Sequence, residues 1–237
     1  MEGARQSAML DEVTTEFKLD RLIKLFIGQQ TTPYLVQETL LTDIATYFAN
    51  AMKWDDRSSE PSGILRFPDD DEDAWKVLLH WIIKGKLPTT RSGQATQMLW
   101  VHCWILGDKY NIAAFQDDVM VELVFELAHQ KTSLEIVKTA FEGTIEDCKL
   151  RKLMAEETVD LIRTTKDWCH KKLELLDGVS GFTPALLKAM DEHDLLLDGA
   201  GDTTTLRARM TSGGISQWKA YTVGDGPWQH WIYYARA

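Results

Sequence analysis

Ile64-Leu65-Arg66-Phe67-Pro68-Asp69-Asp70-Asp71-Glu72-Asp73-Ala74-Trp75-Lys76-Val77-Leu78-Leu79-His80-Trp81-Ile82-Ile83-Lys84-Gly85 is the stretch on which the fold turns. Ile64 to Phe67 have strand character and are cut off by Pro68, which has no N–H to give a ladder. The acidic residues Asp69 to Asp73 then stand directly before an apolar block. Carboxylates at a helix start accept from free backbone N–H groups and oppose the positive end of the helix dipole, together worth about 1 kcal/mol. A calcium loop needs alternating ligands, a central glycine and a distant glutamate, none of which is in register here, so the run reads as capping. The helix it starts is apolar nearly all round, which predicts burial inside a domain, and Gly85 ends it.

Upstream, Leu22 to Ile27 and Pro33 to Gln37 are short extended runs around Gly28-Gln29-Gln30-Thr31, the signature of a hairpin. Leu40, Leu41, Ile44, Ala45, Tyr47, Phe48 and Met52 then recur at helical spacing, as one long helix or two short ones, and the polar stretch Asp55 to Gly63 closes them. Residues 1–20 carry Met9, Leu10, Val13 and Phe17 at spacings of three and four, the pattern of a short amphipathic helix or an arm. Downstream, the segments Met98 to Tyr110 and Val119 to Leu127 are helices too apolar for any surface. Short strands with such helices predict an α+β domain over residues 21–128, a helical cluster capped by a small sheet.

From Ser133 the helices read as amphipathic: Leu134, Ile136, Val137, Ala140 and Phe141; then Leu150, Leu153, Met154, Val159, Leu161 and Ile162; then Trp168, Leu173 and Leu176. Thr183-Pro184 places a cap and a proline at the start of one more helix, with Leu186, Leu187, Met190 and Leu195 on its apolar face and Gly199 as its stop. Residues 129–198 are thus an all-helical extension. Residues 199–237 are a Gly-, Thr- and Ser-rich link followed by an aromatic tail, with Trp218, Tyr221, Trp228, Trp231, Tyr233 and Tyr234.

The 237 residues, 44% hydrophobic, suffice to bury a core. With 36 acidic against 26 basic side chains the formal charge is −10, which disfavours phosphate backbones and anionic lipid as partners. Cys103, Cys148 and Cys169 are odd in number and widely spaced, which predicts neither disulfide framework nor zinc finger and points to a reducing compartment, cytoplasm or nucleus. No stretch approaches the roughly 18 uninterrupted apolar residues that span a bilayer, so no membrane is expected.

Chemistry-bearing patterns are sparse. His102-Cys103 and Cys169-His170 are sequence neighbours, which a helix points to different faces, so neither pair converges on one point. No Gly-rich phosphate loop, nucleophile elbow or HExxH occurs. Glu156-Glu157 and Asp191, Glu192 and Asp194 read as solvated faces of amphipathic helices. The aromatic tail has only Lys219 and Arg236 near its rings, too few cations for stacking single-stranded nucleic acid or for a membrane belt. Docking back onto the helical domain, or a protein partner, is expected instead. No catalytic residue, cofactor or metal is expected.

Three segments in order resemble the BTB/POZ family of interaction domains. Leu40-Leu41-Thr42-Asp43-Ile44-Ala45-Thr46-Tyr47-Phe48 resembles its paired apolar residues before a small residue and an aromatic pair. Ile64 to Gly85, with Trp75, Leu78, Leu79, Trp81 and Ile82, resembles its strand, acidic turn and aromatic Leu-Leu stretch. Gly107-Asp108-Lys109-Tyr110-Asn111-Ile112 with Phe115 resembles its Ala-Asp-Lys-Tyr segment and apolar anchor. Gln37-Glu38, Ala45 and Ile83-Lys84 depart from the family's usual His-Lys, Ser and Tyr-Thr, which is similar to the divergent members abundant in fungi.

The resemblance covers residues 20–128 and implies binding, not catalysis. It implies a homodimer formed through the first strand and first helices, here Leu22, Leu25, Ile44, Tyr47 and Phe48. Many members are substrate adaptors for cullin-based ubiquitin ligases, and the matching positions are Lys86, Leu87, Pro88, Thr89 and Tyr110. Tyr110 reads equally as a buried tyrosine. Trp218, Trp228, Trp231 and Tyr233 are the candidate partner surface of the tail. The alternatives are a nuclear BTB protein that recruits transcriptional partners without a cullin and, more remotely, a helical small-ligand binder or enzyme with its site between the two halves.

Overall fold

The computed structural model describes residues 20–56, 63–89, 93–164, 173–200 and 221–224. Among them are eight helices and a three-stranded sheet, an α+β architecture. The chain divides into two compact units between Glu72 and Asp73, so the boundary expected at residue 128 falls within the second. The arm expected over residues 1–20 lies outside the described residues, Asp20 excepted.

In the first unit, β1 (Leu22–Ile27) pairs antiparallel with β2 (Tyr34–Gln37) and parallel with β3 (Ile64–Phe67), in the order β2-β1-β3. Strand alternation buries Ile23, Leu25, Ile27 and Val36 on one face and turns Leu22, Lys24 and Leu35 outward. The β1–β2 turn starts at Gly28, whose φ of +57° suits glycine; a Cβ there would stand 2.7 Å from the Glu72 carboxylate, which accepts from Gln30 Nε2 at 2.8 Å. The apolar run that follows makes two helices, α1 (Glu38–Ile44) and α2 (Thr46–Asp56), because Ala45 between them is extended. Arg21 Nε donates to Glu38 at 2.7 Å and Asp20 accepts from the Thr39 hydroxyl at 2.5 Å, which ties the entry to β1 onto α1.

The second unit is helical. Helix α3 (Glu72–Lys84) starts inside the acidic run, with Glu72 and Asp73 in its first turn. It is not buried all round as its composition predicts: Ala74, Trp75, Val77, Leu78 and Leu79 are buried, whereas its last turns surface and Ile83 is exposed. Helices α4 (Gln94–Tyr110) and α5 (Ala113–His129) form an antiparallel pair, the second beginning well before the expected Val119. Their corner explains the Gly107–Ile112 segment. A Cβ on Gly107 would come within 2.7 Å of Gln116; Asn111 takes the left-handed conformation (φ 56°); Ile112 closes the turn with its N–H on Gly107 O at 2.8 Å.

Helices α6 (Leu134–Glu142), α7 (Lys149–Thr164) and α8 (Phe182–Ala200) follow, with a short 3₁₀ turn at Glu174–Leu176. Helix α8 starts at Phe182, ahead of the expected Thr183-Pro184, because Gly181 O accepts the first helical bond, from Ala185 N at 3.2 Å. Pro184 still falls in the first turn, where its missing N–H costs nothing. Gly199 does not stop the helix. Its buried side is Phe182, Leu186 and Ala189, with Leu187 exposed, so that side is turned from the one expected; Trp168 and the side chain of Leu195 are outside the described residues.

Candidate functional site

Helix α7 departs furthest from its sequence reading. Arg151, Glu156, Glu157, Thr158 and Asp160 are buried along with its apolar residues. At 100° per residue, Leu150, Met154 and Leu161 fall on one side and Ala155 and Val159 on the opposite one, and the helix is held between α6 and α8. Polar residues between two apolar sides are carried into the interior. The solvated face expected at Glu156-Glu157 is therefore a buried one.

The Arg151 guanidinium donates from Nε to Thr144 Oγ1 at 3.1 Å, from Nη1 to Ser180 O at 3.1 Å, and from Nη2 to Phe141 O at 2.6 Å and to Thr144 O. It also lies 5.2 Å from the Phe141 ring centroid. These bonds fasten the end of α6 and the loop before α8 to α7. One residue on, Lys152 Nζ reaches Glu156 at 2.8 Å and Glu192 at 3.0 Å and so joins α7 to α8. Burial raises the pKa of the Glu156 carboxyl even against its bonds from Lys152 and Tyr221. Burial works the other way on the Lys152 ammonium, but its side chain stays 36% exposed and two carboxylates hold its pKa above the usual value.

The described part of the tail, residues 221–224, lies on this unit. Tyr221 is buried and its hydroxyl donates to Glu156 at 2.5 Å; burial and the adjacent carboxylate push its pKa up, so it stays protonated. Two residues further, the backbone N–H groups of Val223 and Gly224 donate to the two oxygens of Asp117 on α5, at 2.5 and 3.1 Å. Burial raises the Asp117 pKa against those two bonds and the charge of Lys149. The segment is a strap running from α7 to α5. Its receiving groups are carboxylates, so the chemistry of the site is acceptance of O–H and N–H donors.

A cavity of about 530 Å³ opens beside α7 and α8. Glu146, Asp147, Glu156 and Glu192 line it together with Lys149, Arg151, Lys152 and Lys188, a balance that selects neither sign of ligand. On the other side of α5, Asp118 accepts from Trp81 Nε1 at 2.7 Å, and Glu126 accepts weakly from Gly93 N at 3.3 Å. Among the described residues no three His, Cys, Asp or Glu side chains group to hold a metal, and no helix is long and apolar enough to cross a membrane.

Of the residues expected at a self-association surface, Leu22 and Tyr47 are exposed and Ile44 is half-buried. Leu25 and Phe48 are fully buried: Leu25 points to the inner face of the sheet, and Phe48 stands edge-on to Tyr47 and Phe67. They hold the core and present no surface. Among the cullin-type positions Lys86 and Thr89 are exposed and Leu87 and Pro88 half-buried. Tyr110 is buried against Trp75, with centroids 5.6 Å apart, which corrects its use as a contact. Trp218, Trp228, Trp231 and Tyr233 lie outside the described residues. The sequence reading missed Asp117, Arg151 and Lys152 and took Glu156 for a solvated face; for the three on α7 the signal was there in the apolar residues on both sides of the helix. No family model matches the chain, and no curated protein matches it.

Proposed function

We propose that the chain is a non-enzymatic protein–protein interaction module of the BTB/POZ kind that self-associates through its first unit. The observation that carries the reading is the apolar exposure there: Leu22 at 55%, Leu35 at 61%, Tyr47 at 46% and Trp54 at 72%. Leu22 and Leu35 lie on the same outward face of the β1–β2 pair, since Leu35 stands opposite Lys24 and Leu22 opposite Gln37. A two-stranded outer face exposed to water ordinarily alternates polar outward; large apolar side chains there favour a covered surface. The three segments resembling the family also fall at structural junctions, on the α1–α2 break, on β3 with α3, and on the α4–α5 corner.

The function within that reading is substrate adaptation for a cullin-based ubiquitin ligase, with the loop at residues 86–89, exposed at Lys86 and Thr89, as the contact. Tyr110 is buried against Trp75 and has no part in that contact. Sedimentation velocity over a concentration series tests self-association. The parent is expected as a dimer, and Leu22→Lys with Leu35→Lys as a monomer of unchanged circular dichroism. A monomeric parent at every concentration sinks the reading.

A further inference from the structure

We propose that Asp117 and Glu156 form a peptide receptor on the second unit, that Tyr221–Gly224 is its resident internal ligand, and that a bent segment of another protein, with tyrosine at its first position and no proline at its third or fourth, can take that ligand's place. The two carboxylates read different features. Glu156 takes a side-chain hydroxyl, which selects tyrosine at the first position. Asp117 takes two consecutive backbone N–H groups, one on each oxygen, an arrangement that converges main-chain donors on one anion and excludes proline at the third and fourth positions.

The receptor groups stand on helices, Asp117 on α5 and Glu156 on α7, and both are buried. The strap presents the opposite character. Its Tyr221 and Thr222 are buried, but Val223 is 44% exposed and its contribution is a backbone N–H that any residue except proline carries. A buried carboxylate without donors is costly, so both groups favour whichever chain supplies an O–H and paired N–H groups. Burial raises the pKa of both, the same cost seen from the proton's side.

Tethering sets the terms of competition. A ligand carried on the same chain acts at an effective concentration on the order of millimolar, so a free peptide binds well only where the internal one is disabled. The test uses the full chain with Tyr221→Phe and Val223→Pro together, which removes two of the ligand's three donors and leaves Asp117 and Glu156 unaltered. The probe is a fluorescently labelled peptide of the sequence from Lys219 to Gly226, followed by anisotropy. Saturable binding to the variant at least about tenfold tighter than to the parent is expected, and a peptide carrying the same Phe and Pro changes should not bind. Equal binding to parent and variant, or no difference between the two peptides, overturns the proposal. A second measurement needs no variant: excess parent peptide should accelerate amide exchange at Val223 and Gly224 of the unaltered chain. Unchanged exchange at saturating peptide also overturns it.

Discussion

Glu122 stands on α5 one turn from Asp118 and one turn from Glu126, and the three carboxylates follow one stripe of the helix. Burial first, then the charges of Glu126 and Asp118, raise its pKa. With the folded value above the unfolded one, the native state binds more protons between the two, so stability falls as pH rises through that window. Above it the cost is fully present; below the unfolded value it vanishes. Glu122→Gln removes the charge, and the variant should be more stable than the parent at about pH 8, the gap closing towards about pH 4, as read from urea midpoints. A gap that does not change with pH would place the effect in packing instead. At this scale the sequence was least legible. Glu156 and Tyr221 meet across 65 positions, and nothing local to either predicts the other.

Elements were legible where their ends carry chemistry. Ser133 was readable as the start of α6, and its hydroxyl accepts from Ile136 N at 3.4 Å. Ser133→Ala should cost about 1 kcal/mol in chemical denaturation, with Ser133→Asp recovering most of it. A change below a few tenths would mean that packing of Ile136, Val137 and Phe141 alone sets the helix start. Hairpin, third strand and acidic helix start were likewise readable, since turn glycine, proline and carboxylates act within a few residues. Burial was harder to read. Helix α7 looks amphipathic if its apolar residues are pooled into one face and proves sandwiched once they are divided between two. Helix α3 fails in the other direction, because composition counts Ile83 as core while its place at the helix end surfaces it.

For the whole molecule, the α+β class followed from patterning, whereas the partner depends on which side chains the fold turns outward. Leu25 and Phe48 carry the same apolar character as Leu22 and Tyr47, and only the pleat and the α1–α2 break separate core from surface. The adaptor reading is tested by calorimetric titration with the N-terminal domain of the type-three cullin. Saturable heat is expected from the parent, and about tenfold weaker binding, near 1.4 kcal/mol, from Leu87→Ala with Pro88→Ala. No heat from the parent would remove the cullin and leave self-association standing.

The sheet also dictates an order of events during synthesis. As the chain leaves the ribosome, β1 finds β2 across the short loop of residues 28–33, but its other edge must wait for β3, which is made only after α1 and α2. Throughout that interval the nascent hairpin offers an open row of amide and carbonyl groups flanked by Leu22 and Phe26. Speed of elongation through residues 38–63 thus becomes a determinant of yield, and slow codons there lengthen the time in which neighbouring chains can pair on that edge.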